Sequence, residues 1–390
     1  MSLPIIYNIR SVRVRWVSTA VAVFGIAGVV SVFIAMLAMA QGFEATLVAS
    51  GSPYNTIIRR GGATSEMDSA LNIEQIRIAA DAPDVMRGKD RVPLVSPEVV
   101  VIVMLPIRNG QNSAMIQLRG VSQLALDVRS VVKIAQGRFF KPGLSELFVG
   151  SNVSKAYKDC ELGGHPYFGG RQWHVVGIMD AQGSAFDSEI WCDAVLLQQT
   201  YKRPGNIFQS ATIRLTSQEA FPDFVKGLAG DPRLTLQIDR ELDYYERQSQ
   251  AVTTIIRVLG VVVALVMGIG AIFGALNTMY ASVAARAREI ATIRAIGFAE
   301  WSIVLSFLIE SLFISFIGGL VGCIAVIPIN GYSTSTINWQ TFTNLAFAFD
   351  ITPLMMAEGM LFALGMGLIG GLPPSIRAAR MPVVTALREL

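Results

Sequence analysis

The stretch that decides the fold runs from Val258 to Phe298. It opens as VLGVVVALVMGIGAIFGALNTMYASVAA over Val258–Ala285, without one charged residue, and continues at once as RAREIATIRAIGF over Arg286–Phe298. A bilayer core about 30 Å thick takes roughly 20 apolar residues at the helical rise, so the first part is long enough to span. The second part is amphipathic. Arg286, Glu289 and Ile293 fall at i, i+3 and i+7, close to one helical face. Ile290 and Ile293 are one turn apart and Ile296 follows a turn later. Gly297 then stands where a helix C-cap is expected. The reading is a membrane helix that delivers a short helix to the membrane surface, with apolar knobs for a partner's groove and charges for its rim.

Three further runs are of the same kind. Val17–Ala40 carries no charge, Trp301–Asp350 carries only Glu310 before its last residue, and Ile351–Ile376 carries only Glu358. Only 16% of the 390 residues are charged, against about 25% in soluble domains, and the mean hydropathy is +0.49. The formal net charge of +3 is too small to suggest nucleic-acid binding. The placement of the basic residues says more. Arg10, Arg13 and Arg15 precede the first run, Arg286, Arg288 and Arg294 lie between the second and third, and Arg377, Arg380 and Arg388 follow the fourth. Residues 330–349 have no Lys or Arg. The positive-inside rule puts all three Arg clusters and both termini in the cytoplasm. The first apolar run, with Ala38-Met39-Ala40 at its end, is longer than the 7–15 residues of a signal-peptide core, so it is expected to stay as an uncleaved helix.

These signals divide the chain. Residues 1–15 form a cytoplasmic amphipathic segment, with Ile5, Ile6 and Ile9 at helical spacing. The spans are 16–41, 251–283, 301–329 and 351–372. Residues 42–250 are an extracytoplasmic domain with helical stalks, 284–300 the cytoplasmic surface helix, 330–350 an extracytoplasmic loop and 373–390 a cytoplasmic tail. Gly370-Gly371 and Pro373-Pro374 are expected to break the fourth span. The fold class is a membrane α-helical protein of four transmembrane helices with an α+β extracytoplasmic domain.

Within 42–250 charges return, and short apolar runs are punctuated by Gly, Pro and Asn. Strands are predicted over 98–105, 114–121, 146–149, 173–178, 194–197 and 211–215, from β-branched enrichment and alternation. Helices are predicted over 73–80, 153–157 and 219–228. Glu241–Gln250 is polar and helix-prone and leads without a breaker into the second span, as a stalk would. Gly42–Ser50 does the same after the first span.

Polar residues inside the spans stand out, since a charge at mid-bilayer costs about 2.5–3.5 kcal/mol on insertion scales. Glu310 is close to the middle of its span and is expected to bond Asn277 or Ser306. Glu358 lies nearer an end and reaches the interface. Gly268, Gly270 and Gly274, with Gly318, Gly319 and Gly322, suit close helix packing, including packing between two copies. Cys160 and Cys192 are both extracytoplasmic, where disulfides persist; they are either bonded or two free thiols. Their spacing to His165 and His174 fits no standard zinc pattern, so no metal is assigned. No G-x-S-x-G, H-E-x-x-H or carboxylate pair supports a catalytic site.

Two stretches carry a family resemblance: Arg286–Phe298, and GGLPPSIRAARMPVVTALR over Gly370–Arg388. Both resemble the ABC transporter permeases of the MacB/FtsX/LolCE type, which share this topology. The middle stretches Gly137-Arg-Phe-Phe140, Glu146-Leu-Phe-Val-Gly150 and Val175-Val-Gly-Ile178 resemble the MacB-like periplasmic domain. The resemblance implies that Arg286, Arg288, Glu289, Ile290, Ile293, Arg294, Ile296 and Gly297 form the coupling helix that docks on an ATPase. It implies a dimer with a second permease copy or paralogue, in the bacterial inner membrane and in contact with its lipid, that changes shape outside the membrane when ATP is hydrolysed. A periplasmic adaptor is a further implied partner. MacB itself carries its ATPase ahead of the first span. Here the one Gly-Lys pair, Gly88-Lys89, lacks the rest of the phosphate-cradling pattern, with Pro83 and Asp90 where Gly and Ser or Thr belong. The ATPase, with its ATP and Mg, is therefore expected on a separate chain. Efflux of a small molecule or lipid, lipoprotein or lipid extraction as in LolCE, and regulation of periplasmic enzymes as in FtsX are the functions the resemblance offers.

Overall fold

The structure is a computed structural model that describes residues 16–108, 110 and 112–382. The amphipathic segment expected over 1–15 and the last eight residues of the expected tail lie outside the described residues.

In chain order, helix α1 (Trp16–Val48) is followed by β1 (Asn55–Arg60), β2 (Leu71–Asn72), α2 (Ile73–Ala80), β3 (Val95–Pro106) and β4 (Ser113–Val121). Next come α3 (Ala125–Val128), β5 (Lys133–Gly137), β6 (Glu146–Gly150), α4 (Ser151–Ala156), β7 (Tyr167–Phe168), β8 (Arg171–Gln172) and β9 (His174–Asp180). A 3-10 turn over Ala185–Ser188 leads to β10 (Glu189–Asp193), α5 (Ala194–Thr200), β11 (Ile207–Phe208), β12 (Ser210–Arg214), α6 (Phe221–Ala229) and β13 (Leu236–Arg240). The remaining elements are α7 (Glu241–Ala285), α8 (Ala287–Ala295), α9 (Glu300–Val326), a 3-10 turn over Ile327–Ile329, β14 (Ser333–Asn338), β15 (Thr343–Ala348) and α10 (Pro353–Ala379).

The chain divides into two compact units. The first, a sheet unit, comprises Gly42–Thr253 with Ser333–Ala348. Its main sheet has nine strands in the order β13-β1-β12-β3-β4-β10-β6-β9-β5. The β4–β10 and β6–β9 pairs are parallel and the others antiparallel. The centre of the sheet is covered, so its strands read as continuous apolar runs. Val99, Val101, Val103, Ile116, Leu118, Leu147, Val149, Val175 and Ile190 are all buried in one core with Trp173. The alternation of β4 survives only in its first half, because Gln117 through Val121 are buried on both faces. Helix α2 covers this core through Ile76 and Ala79 and starts with a capping box between Asn72 and Gln75, the arrangement that satisfies two otherwise orphaned donors. Residues 330–350, expected to be a loop, instead contain the hairpin β14–β15, paired from Ser333↔Ala348 to Asn338↔Thr343. Leu345 and Phe347 are its buried apolar residues, and Phe347 meets Phe43 edge to face at 5.8 Å.

One predicted strand is a helix. Residues 194–197 open α5, because the strand stops one residue earlier and Asp193 caps the new helix by accepting from the Val195 N–H. The apolar residues there serve a helix as well as a strand.

The second, helical unit holds the described parts of Met1–Gln41, Thr254–Tyr332 and Phe349–Leu390. Among the described residues four helices are long and apolar enough to cross a membrane: α1, α7, α9 and α10. Small residues let them approach closely. A Cβ on Gly318 would lie 2.9 Å from Ile26 Cβ, one on Gly322 2.8 Å from the Ala27 carbonyl oxygen, and one on Gly319 2.8 Å from Ala363 Cβ. Ser31 Oγ donates to the Gly322 carbonyl at 3.0 Å and Ser311 Oγ to the Gly367 carbonyl at 2.6 Å, tying α1 to α9 and α9 to α10. Gly270 and Gly274 behave differently, with open space where their Cβ atoms would point.

The helices outrun the predicted spans. Helix α1 continues to Val48, and α7 takes in 45 residues, from Glu241 to Ala285. Helix α10 does not break at Gly370–Pro374 but runs through both prolines to Ala379. The two glycines bring α10 close to its neighbours: a Cβ on Gly370 would lie 3.2 Å from Ala275 Cβ, and one on Gly371 2.5 Å from Ser311 Cβ. That packing holds a helix whose prolines remove two intrahelical bonds, as neighbouring helices do in membranes. The start of the expected tail is thus the last turns of α10, and Ala378 and Ala379 are buried there.

Candidate functional site

Helix α7 is fixed at each of its ends by buried charge. At its start, Glu241 is fully buried. Its carboxylate accepts from Arg129 Nε at 3.1 Å, Asn55 Nδ2 at 2.9 Å and the Ser52 N–H at 3.1 Å. A carboxylate in the first turn also suits the positive end of the helix dipole. Arg129 passes the link on, donating to Glu98 at 2.7 Å and to Thr212 Oγ1 at 2.8 Å, with its guanidinium 4.7 Å from the Phe186 ring centroid.

Arg119 is the hub of this cluster. It donates to Glu66 at 2.8 and 3.1 Å, to Glu98 at 2.6 Å and to Glu189 at 2.8 and 2.9 Å. Strand register explains how three carboxylates meet one guanidinium. Arg119 on β4 stands opposite Val100 on β3 and Trp191 on β10. Glu98 and Glu189 are each two residues away from those partners, hence on the same face at the diagonal positions. Ser210 Oγ donates to Glu66, while Gln117 Nε2 and Trp191 Nε1 donate to Glu189. Four carboxylates thus share two guanidiniums. Burial raises Glu98 above the ordinary carboxylate range even though Arg129 and Arg119 pull it down. Burial also acts to raise Glu66, but Arg119 outweighs it and leaves that carboxyl below its usual value. Burial likewise acts to lower Arg119 and Arg129, but the Coulomb field of these carboxylates outweighs it and holds both above the usual arginine value.

At the far end of α7, Arg286 occupies the N-cap position of α8. Its Nη1 donates to Glu310 Oε2 at 3.0 Å, and both residues are buried. The guanidinium also lies 5.8 Å from the Phe307 ring centroid, one turn before Glu310 on α9. Arg286, which is not among the partners expected for Glu310, thus bonds it. Asn277, expected in that role, is exposed on α7, as is Glu358 on α10.

Helix α8 has two distinct faces. Ile290 and Ala291 are buried, Ile290 in a cluster with Met279, Val283, Ile303 and Phe307. Ile293 is half-buried. Arg294 is held inside the unit, with Nη2 at 2.6 Å from Glu300 and Nη1 at 2.9 Å from the Met381 carbonyl. Arg288, Glu289, Thr292 and Ile296 are exposed, Ile296 to 72%. Of the three isoleucines Ile296 is the exposed one, while Ile290 packs α8 against its own unit. Gly297 ends the helix with φ of +102°. Its N–H donates to the Arg294 carbonyl at 3.0 Å and the Phe298 N–H to the Ile293 carbonyl at 3.3 Å, the paired bonds of a Schellman motif.

Cys160 and Cys192, for which a disulfide was one of two expected states, are free thiols. Each is fully buried in the sheet unit's core, where burial pushes the Cys160 thiol up to about 12 and the Cys192 thiol well above its usual value. Cys192 is enclosed within β10, opposite Gly120. The acidic cluster around Arg119 is not among the expected sites. Its one signal in the sequence is a single arginine inside an apolar strand, MIQLRGV over Met115–Val121.

Comparison with known proteins agrees with this architecture. Residues 19–229 match the MacB-like periplasmic core domain and residues 261–383 the FtsX-like permease C-terminal domain. The macrolide export ATP-binding/permease protein MacB of Hyphomonas neptunium is 26% identical over 404 residues, an alignment covering 97% of this chain and 59% of that protein. The pyoverdine export ATP-binding/permease protein PvdT of Pseudomonas entomophila is 23% identical over 410 residues, covering 96% and 58%. The chain therefore spans less than three fifths of the length of these relatives. Among solved structures, the extracellular domain of the transporter YknZ from Gram-positive bacteria aligns with 47% of this chain and 99% of its own, at 16% identity and a TM-score of 0.36. With a MacB-like core over more than half its length and an FtsX-like region behind it, the chain belongs to the MacB/FtsX-type family of ABC transporter permeases.

Proposed function

We propose that this chain is the membrane-spanning part of an ABC exporter, and that α8 is the surface through which an ATPase drives it. The observation that carries this reading is the construction of α8. It follows α7 directly, is pinned by Arg286–Glu310, and presents Arg288, Glu289 and Ile296 on its exposed face. A helix braced from behind and chemically furnished in front is suited to receive a push.

In this reading Arg286, Arg288, Glu289, Ile290, Ile293, Arg294, Ile296 and Gly297 divide the work. Arg286, Ile290 and Arg294 brace α8, while Arg288, Glu289 and Ile296 meet the ATPase. The ATPase binds ATP and Mg, and no phosphate-cradling motif occurs in these 390 residues. Helix α7 carries the movement to Glu241, whose ion pairs hand it to the sheet. Work is done by change of shape outside the membrane. Two copies form the transporter, and the open Gly270–Gly274 face of α7 suits a helix of the second copy. The Arg-rich side, with α8, faces the cytoplasm of a bacterial inner membrane and the sheet unit faces outward. The cargo is a small molecule or lipid taken up outside that membrane, passed on through a periplasmic adaptor. The named relatives export a macrolide and pyoverdine, which supports export over enzyme regulation.

Purification of the full chain with an ATPase retained in fixed ratio tests this reading. Ile296→Asp with Arg288→Glu is expected to release the ATPase and leave the chain folded. Retention at the wild-type ratio in that variant would remove α8 as the docking surface.

A further inference from the structure

The sheet unit holds a feature that the coupling route does not use. The two faces of the hairpin β14–β15 follow from its register. Thr334/Phe347, Thr336/Leu345 and Asn338/Thr343 share one face, and Ser333/Ala348, Ser335/Ala346 and Ile337/Asn344 share the other. The Leu345 and Phe347 face is the buried one. The opposite face, with Ser333, Ser335, Asn344 and Ala346, forms one wall of a cleft whose other wall is helix α4.

That cleft has a volume of about 300 Å³, the lower end of the range for small-molecule sites. Asn152 and Lys155 line it on the α4 side, and Ile116 and Val153 supply an apolar floor. The hairpin is held here by the Ala346 N–H, which donates to Ser188 Oγ at 3.1 Å.

The chemistry of the lining is one-sided. It offers hydroxyls, two amides and one cation, Lys155, which is exposed. No carboxylate is among the lining residues. Hydroxyls and amides both donate and accept, so they suit a ligand with several hydroxyls. An ammonium facing no acidic wall suits one anionic group, held by a charge-assisted hydrogen bond about twice as strong as a neutral one. We propose that this cleft binds a small polyhydroxylated molecule carrying a single anionic group, with Lys155 on the anion and the hairpin's hydroxyls on the hydroxyl groups. The site stands apart from the ATPase reading, because binding here is measured without nucleotide and without α8.

Glucuronate is the probe, with glucose as its neutral match and inorganic phosphate as the bare anion. Titrated into the full chain in detergent and followed by calorimetry or saturation-transfer NMR, glucuronate is expected to bind at least about tenfold more tightly than either control. Lys155→Met is expected to remove that preference, Lys155→Arg to keep it, and Ser335→Trp to abolish binding by filling the cleft. Lys155 is exposed, so its variants are expected to fold as the parent does, which the unfolding temperature checks. Equal binding of glucuronate and glucose, phosphate binding as tight as glucuronate, or glucuronate binding unchanged in Ser335→Trp would each overturn the assignment.

Discussion

Arg286 Nη1 lies 3.0 Å from Glu310 Oε2, and this one bond joins the corner between α7 and α8 to the middle of α9. Both residues are buried. Removing one partner of a buried pair leaves an uncompensated charge and costs about 3–5 kcal/mol. Glu310→Leu and Arg286→Met are each expected to destabilise the protein on that scale. The double variant is expected to recover most of the loss, because both charges are then removed together. Unfolding temperatures of the three variants in detergent measure this. A double variant that costs the sum of the singles would mean that the two residues act independently.

Arg119 is a harsher case. It satisfies three glutamates at once, and Arg119→Met would leave all three in the core. We expect at least the loss of a single broken buried pair, about 3–5 kcal/mol. Arg119→Lys is expected to fail nearly as badly, since an ammonium lacks the planar fork that reaches several carboxylates. Trp191, which donates to Glu189, makes the change visible as a shift in fluorescence.

The same cluster sets a pH dependence with opposing parts. Burial raises Glu98, so the folded protein holds that proton more firmly than the unfolded chain does. Its contribution to stability is complete below the ordinary carboxylate range and is lost as pH rises through the raised folded value. Glu66 is lowered, so its contribution is present above the ordinary range and is lost as pH falls. Glu98→Gln keeps the shape and fixes the neutral state. It is expected to flatten the decline on the alkaline side of a plot of unfolding temperature against pH, and to leave the acid side in place. A variant whose alkaline decline matches the parent's would place the titrating group elsewhere.

Gly297 takes φ of +102° at the end of α8, a conformation that costs an L-residue with a Cβ roughly 1–2 kcal/mol. Gly297→Val is expected to loosen the last turn of α8 while the four long helices stay folded. Circular dichroism should show little change, and ATP turnover by the bound ATPase should become less responsive to the permease.

Much of this architecture is legible without coordinates. The four apolar runs and the cap at Gly297 are local signals: each run lies within a long helix, though the helices extend past the expected ends, and Gly297 closes α8. What is not legible depends on contacts between distant residues. Glu66, Glu98, Arg119, Arg129, Glu189 and Glu241 meet only once the sheet has formed, and no local pattern marks them as a set. The prolines of α10 mislead for the same reason: Pro373 and Pro374 break an isolated helix, but here Gly370 and Gly371 pack that helix against its neighbours. Residues 194–197 read as a strand because four apolar residues fit either period, and the capping bond to Asp193 decides for the helix. Ile290 reads as an outward knob because periodicity gives a helix's faces without saying which one its own protein covers.

The central claim is that the outer face of α8 receives the force of ATP hydrolysis. The most direct measurement is site-specific cross-linking from Ile296→Cys, with Ile290→Cys as the buried control, in the chain purified with its ATPase and sampled with and without ATP. The account predicts a cross-link to the ATPase from position 296 and none from position 290, with a yield at 296 that changes when ATP is added. A cross-link absent at position 296 while the ATPase remains bound, or insensitive to ATP, would contradict it.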